Sequence, residues 1–264
     1  MSETKAASTH PALSPQREKQ LIRKISWRVV PLVFTGYMFA YFDRSNISFA
    51  ALTMNEDLGI AAYTYGWIAG IFFVGYIAFG VPSNFGFGRW GARKWLSLLM
   101  LSFGLISVAT AFVTNVPQLA ASRFLLGAAE AGVFPGIIVY VMLWFPAQYR
   151  GRLLTAFIIA VPLSAAIGGP LAGLILSMDD SLGLEGWRWL FLVEGIPAAL
   201  IGILGFKYIA STPHDAAWLK EDERAWLIAE TTHDDGSESQ AGQGLSPWKI
   251  LLDGKILTLA LVQT

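Results

Sequence analysis

Five ionisable side chains stand inside otherwise apolar stretches of the chain: Asp43 and Arg44, Arg123 and Glu130, and Glu194. Each costs about 2.5 to 3.5 kcal/mol at the centre of a bilayer, so five left unpaired would cost on the order of 10 kcal/mol or more. They must face one another or water. Seven residues separate Arg123 from Glu130, which places both on nearly the same helix face, about two turns apart. Tyr37, Tyr41, Arg44 and Ser48 follow the i, i+4, i+7, i+11 spacing of one helical stripe, with Asp43 on the adjacent face. Tyrosine hydroxyls beside a guanidinium suit a carboxylate ligand. Fully ionised, the five groups sum to minus one, which disfavours an anion; protonating one or two acids inverts that sign. Burial and a neighbouring acid favour the neutral carboxyl, and a close arginine favours the ionised one. Exchange of partners by Arg44 and Arg123 would therefore let Asp43 and Glu130 switch charge and free an arginine for substrate. The plainer alternative is a set of structural ion pairs holding a bundle together, and it fits Glu194 best.

The elements that must position these groups are long helices. Hydrophobic residues make up 54% of the 264 and charged residues 14%, against roughly 25% charged in an average soluble chain. Six apolar stretches are each long enough to cross a core needing about 20 helical residues: Val29 to Ala51, Tyr65 to Phe87, Trp95 to Val113, Leu119 to Phe145, Leu153 to Met178 and Leu190 to Ala210. Their apolar character is continuous, whereas barrel strands alternate every second residue. Depth from the helical rise puts Asp43, Arg44, Arg123 and Glu194 at one level, about 10 Å inside the outer surface.

Lysine and arginine fall almost wholly on one side. The first 28 residues, the connection with Arg89, Arg93 and Lys94, the connection with Arg150 and Arg152, and the stretch from Lys207 to Lys255 carry them, while the opposite side has Arg188 alone. This asymmetry predicts a cytoplasmic N-terminus in a multi-pass protein of the inner (cytoplasmic) membrane. The organisation expected is a cytoplasmic tail at 1–28, a six-helix bundle at 29–210, a cytoplasmic linker at 211–248 and the start of a seventh membrane helix at 249–264. Within the linker, Ala216 to Glu230 reads as a surface helix and Thr231 to Gly244 as flexible. The apolar run opening at Ile256 reaches Thr264 after a span that is half a bilayer at most, so the chain reads as truncated in its seventh helix, with a C-terminal half missing.

Two smaller motifs bear on packing. The string AAIGGPLAG in the fifth span, with Gly168, Gly169, Pro170 and Gly173, offers close helix approach and bending. The segment NFGFGRWGARK, Asn84 to Lys94, reads as a short basic loop between the second and third spans.

The strings FDRSNISFA at Phe42, RFLLGAAEAGVFPG at Arg123 followed by WFP and RGR, and GWRWLFLVEGIPA at Gly186 together resemble the major facilitator superfamily. Within it they resemble the anion:cation symporters, which carry acids such as tartrate, phthalate, galactonate and hydroxyphenylacetate. The resemblance implies an all-α membrane fold, twelve helices in two halves, of which this chain is the first, built from two inverted three-helix repeats. It also implies Asp43 and Glu130 as proton-coupling acids, with Arg44, Tyr41, Tyr76 and Arg123 around the substrate. Asn46, Arg89, Gly169, Pro170 and Glu194 fall to structural or gating roles. Where the superfamily's second-to-third connection has an acid, this chain has Gly88, so a gate-steadying charge contact is not expected here.

The reading is a proton-coupled symporter of a small organic carboxylate, with protons, substrate and lipid as its partners. Its alternatives are an exchanger or uniporter of the same fold, or a non-transporting membrane fragment. An enzyme is disfavoured. The chain has no cysteine, its three histidines, His10, His214 and His233, lie in polar stretches, and no metal-protease motif appears. No cofactor or metal is expected, and equal numbers of basic and acidic residues, 19 each, give no argument for nucleic acid.

Overall fold

The computed structural model describes residues 13–242, and among these no strand occurs. Helix α1 (Pro15–Asp57) is capped by Ser14, whose hydroxyl accepts from the Arg17 amide at 3.4 Å, with Pro15 in its first turn, where no amide donor is needed. Its 43 residues extend about 64 Å, twice the hydrocarbon thickness. The part from Pro15 to Arg28 therefore stands outside the span as helix, where the sequence pattern gave only a polar tail.

Helix α2 (Ala62–Thr110) joins the second and third apolar stretches. The expected loop Asn84 to Lys94 is helical turns on either side of one break at Gly91 (φ 74, ψ 163), a conformation reserved for glycine. The chain reverses there. A Cβ on Gly132 would lie within 3 Å of both Ser83 and Leu99, and one on Gly136 within 3 Å of both Phe87 and Leu96, so the two arms run antiparallel.

The fourth stretch is two helices in series, α3 (Val116–Glu130), capped by Asn115, and α4 (Val133–Trp144). The interruption falls where Pro135 cannot donate to the carbonyl four residues earlier, and it leaves Glu130 as the last residue of α3. Helix α5 (Ala147–Leu176) and helix α6 (Gly186–Tyr208) follow, joined by a turn in which Asp180 and Leu182 take positive φ. Arg188 ties this acidic end together: it pairs with Glu185 and with Asp57 at 3.5 Å, and donates to the carbonyls of Ala111 at 2.8 Å and Val113 at 2.9 Å.

Among the described residues, five stretches are long and apolar enough to cross a membrane, two of them from α2 and one spanning α3 and α4. Helix α1 has the length but interrupts its apolar run with Asp43, Arg44 and Asn46, the residues that make it chemically interesting. Closest helix approach is not at the AAIGGPLAG string: a Cβ on Gly169 would lie 4.0 Å from Phe49, and one on Gly173 would meet nothing within 4 Å. The backbones touch instead where a Cβ on Gly127 would sit 2.0 Å from the Phe72 carbonyl oxygen, and where one on Gly104 would sit 2.3 Å from the Ala199 amide. Pro170 and Gly173 are exposed, while Ser164, Gly168 and Ala172 face inward, and a Cβ on Gly168 would sit 3.4 Å from Phe42 of α1.

At the basic end, helix α7 (Glu221–Gly242) folds back under the bundle. Trp218 stacks on Trp144 at 5.6 Å and Lys24 pairs with Glu223 at 2.6 Å. The helix begins later than the expected surface helix and continues through residues 231–242, where no proline removes a donor. Residues from 243 onward, including the expected opening of a seventh membrane helix, lie outside the described part.

Two hydrophobic clusters divide the bundle lengthwise. One ends at Ala40 on α1, Phe103 on α2 and Leu126 on α3, and begins again at Ala198 on α6. The other takes up at Ile47, Ala111, Leu119 and Leu192. Between them every long helix contributes a polar side chain: Asp43 and Asn46, Ser107, Arg123, Ser164 and Glu194.

Candidate functional site

The site is built at this polar layer and has two compartments. The first faces a cavity of about 200 Å³ lined by Tyr37, Tyr41, Arg44, Tyr76, Glu130 and Phe134, among others. Arg44 donates to a single oxygen of Glu130, from Nη2 at 2.8 Å and from Nε at 3.2 Å. Its guanidinium lies 4.8 Å from the Tyr41 ring centre, 5.0 Å from Tyr76 and 5.3 Å from Phe72, a cation held by three aromatic faces. The Tyr37 hydroxyl donates to that of Tyr41 at 3.4 Å. Glu130 has no exposed side-chain surface while Arg44 retains 26%, so the arginine is the member of the pair that a ligand in the cavity meets first.

The second compartment is closed. Asp43 accepts a hydrogen bond from the Ser107 hydroxyl, which also lies 3.3 Å from the Phe191 carbonyl. Arg123 is 1% exposed and sits 5.1 Å from the Phe191 ring centre. Asn46 donates to Glu194 and ties α1 to α6. Four buried polar atoms of this site have no hydrogen-bond partner among the described residues: Asp43 Oδ2, Glu130 Oε1, and Nε and Nη2 of Arg123. Acids and guanidinium groups with unused hydrogen-bonding capacity stand near each other without being locked together. Such a set can re-pair when a proton or an anion arrives.

Of the residues expected from the sequence, the fold brings Asp43, Arg44, Arg123 and Glu194 into one layer, with Glu130 two turns deeper and reached by Arg44, and Tyr41 and Tyr76 beside Arg44. Arg123 does not line the cavity; it belongs to the closed compartment. Ser48, expected to continue the tyrosine stripe, is exposed and absent from the lining. Arg89 is exposed at the basic end, near the α2 reversal, with no ion pair among the described residues. The neighbouring Arg93 does the anchoring, donating from Nε to the Ile209 carbonyl at 2.6 Å. Pattern reading missed Ser107 and Phe72. A lone serine in an apolar helix normally bonds back to its own turn, as Ser164 does to Val161 at 2.7 Å, so nothing marks Ser107 as different until the helices are assembled. No group of three or more metal-ligating side chains occurs among the described residues.

Apolar helices packed around a polar layer, with an arginine–carboxylate pair on a cavity wall, define a membrane-type helical bundle with an ionisable interior. The sequence profile of the Major Facilitator Superfamily matches residues 33–264, and the chain belongs to that family. A protein of Agrobacterium vitis assigned by name as a tartrate transporter is 44% identical over 245 residues, which is 93% of this chain and 56% of the relative. A Pseudomonas putida protein, assigned by name as the metabolite transport protein NicT, is 47% identical over 218 residues, covering 82% of this chain and 50% of the relative. The chain thus spans about half the length of the curated relatives it matches. The inward-open structure of the Escherichia coli xylose transporter XylE superposes with a TM-score of 0.68 at 18% identity, covering 85% of this chain and 58% of that one; the likeness is one of fold.

Proposed function

We propose that the chain forms the first half of a proton-coupled symporter that carries a small organic anion across the cytoplasmic membrane by alternating access, with its basic end in the cytoplasm. The observation that carries this reading is the Arg44–Glu130 pair on the cavity wall. With both groups ionised the arginine is held by the acid. A proton on Glu130 removes the charge that holds Arg44, and the guanidinium then offers paired N–H donors to a carboxylate, the geometry for which arginine is suited. Tyr41 and Tyr76 keep the guanidinium oriented as it changes partner. Asp43 takes the second proton-coupling role, with Arg123 as its counter-charge, and Glu194 with Asn46 holds α6 to α1 while they do so. The tartrate-type name of one relative supports a carboxylate as the cargo. The basic-end bias in lysine and arginine supports the orientation.

The test is uptake of labelled tartrate into vesicles containing the full-length protein, with and without an inward proton gradient. Accumulation above equilibrium should require the gradient and should vanish in Asp43→Asn with Glu130→Gln. Accumulation left intact in that double variant would remove the proton assignment. Counterflow that persists with no proton movement in the unaltered protein would establish exchange or uniport instead.

A further inference from the structure

A groove at the basic end of the bundle has no part in the transport reading. It runs between α1 and α6 at the basic end, has a volume of about 810 Å³, and is walled by Lys24, Trp27, Arg28, Leu32, Leu204 and Trp218, among others. We infer that this groove binds one anionic phospholipid of the cytoplasmic leaflet, its phosphate on Arg28 and an acyl chain along Leu32 and Leu204.

Three features select that occupant. The first is length. The lining on α1 runs from Lys24 to Thr35; Lys24 and Arg28 stand outside the span, and from Arg28 to Thr35 the helix descends about 10 Å, which stays within the roughly 15 Å of one leaflet's hydrocarbon. Polarity along it is the second. Helix α6 runs antiparallel, with Ile201 3.4 Å from a Cβ placed on Gly36, so Tyr208 lies at the same end as Lys24 and Arg28, and Ile201 at the far end beside Thr35. The Thr35 hydroxyl is spent on the Pro31 carbonyl at 2.8 Å, leaving the deep end apolar. Trp27 is 76% exposed and Tyr208 58%, amphipathic rings at the level where headgroups meet hydrocarbon.

The third feature is charge. Lys24 is neutralised by Glu223 at 2.6 Å, and Asp222, the next acid on α7, faces Arg17 at 4.0 Å. Lys207 leans over the Tyr208 ring, its Nζ 5.6 Å from the centroid. Arg28 has no acid within ion-pair distance among the described residues, and the Trp218 ring 5.5 Å away supports its guanidinium. An oriented, unpaired arginine at the mouth of a one-leaflet apolar track fits a lipid phosphate with a negative headgroup. A soluble carboxylate would leave the track empty, and a zwitterionic lipid would bring an ammonium to a mouth that already has surplus positive charge.

Native mass spectrometry of the full-length protein, equilibrated with equal amounts of phosphatidylglycerol and phosphatidylethanolamine, tests this. The unaltered protein should retain one phosphatidylglycerol in preference to phosphatidylethanolamine by about fivefold or more. Arg28→Gln, an exposed position, should bring the two lipids to parity. Leu204→Trp should reduce retention by obstructing the acyl track, and Arg23→Gln, an exposed base outside the groove, should change nothing. Equal retention of both lipids by the unaltered protein, or unchanged preference in Arg28→Gln, overturns the assignment.

Discussion

The polar layer holds two arginine–acid groupings that differ in access rather than in chemistry. Arg44 and Glu130 meet on a cavity wall, hydrogen-bonded and with the arginine partly exposed. Arg123 and Asp43 lie behind them, 1% and 2% exposed, both meeting Phe191, Asp43 through Ser107, and without a hydrogen bond between them. A cation that solvent and ligand can reach is suited to changing partners. One enclosed by Phe191 and the helix backbones is suited to holding a neighbour's charge state. The two arginines, at one depth, divide labour by which face of the bundle they occupy.

Substitution at each arginine should separate the roles. Arg44→Gln is expected to cost the largest effect on transport, raising KM for the carboxylate on the order of 100-fold, with Arg44→Lys recovering little because a point charge does not replace a planar fork. If transport kinetics in vesicles showed Arg44→Gln and Arg123→Gln equally impaired in KM and equally stable, the division would fail. Arg123→Gln should act on stability instead, costing about 3 kcal/mol by leaving Asp43 buried beside no counter-charge. Adding Asp43→Asn should restore much of that loss in a thermal-unfolding cycle, as expected for coupled neighbours.

Helix contacts offer a parallel contrast. Gly127→Ala forces a Cβ to 2.0 Å from the Phe72 carbonyl and should destabilise by about 1 to 3 kcal/mol. Gly173→Ala meets nothing within 4 Å and should stay within about 0.5 kcal/mol. Paired melting measurements on full-length protein check both, and similar losses would show that the α5 glycines are packed against something in the intact protein.

The smallest effect belongs to the basic-end clamp. Partial burial pushes the Glu223 carboxyl up, but the hydrogen bond and charge of Lys24 and the Lys220 amide outweigh it and hold the group below its ordinary value. A depressed acid contributes stability above its unfolded pKa, about 4.3, and loses it as pH falls through the lower folded value. Glu223→Gln should therefore lower the melting temperature slightly at neutral pH and not in strong acid, where wild type and variant converge. A difference that grew on acidification would reverse the sign and exclude the clamp.

Much of this was legible in the residue order. Continuous apolar runs fixed helices over strands, and charges too costly for lipid marked the layer that had to be shared. Helical rise alone placed Asp43, Arg123 and Glu194 at one depth, where the assembled clusters leave their gap. Legibility ended where a residue's role depended on its neighbour across the bundle. Gly91 and Gly127 look like the glycines of AAIGGPLAG in sequence, yet one reverses the chain, one lets backbones touch, and the α5 pair does neither. Arg123 has the same spacing logic as Arg44 and ends on the other side of the wall.

Composition and periodicity by themselves determined that the chain is a membrane-spanning helical bundle with an ionisable layer, because burying such groups in lipid has a free-energy cost that local sequence already states. Only the tertiary structure decided which charge faces the cavity, which serine serves an acid rather than its own turn, and which glycines bear a neighbouring helix. Those outcomes depend on how helices rotate and approach one another, and that is set by packing summed over all of them, not by any one helix.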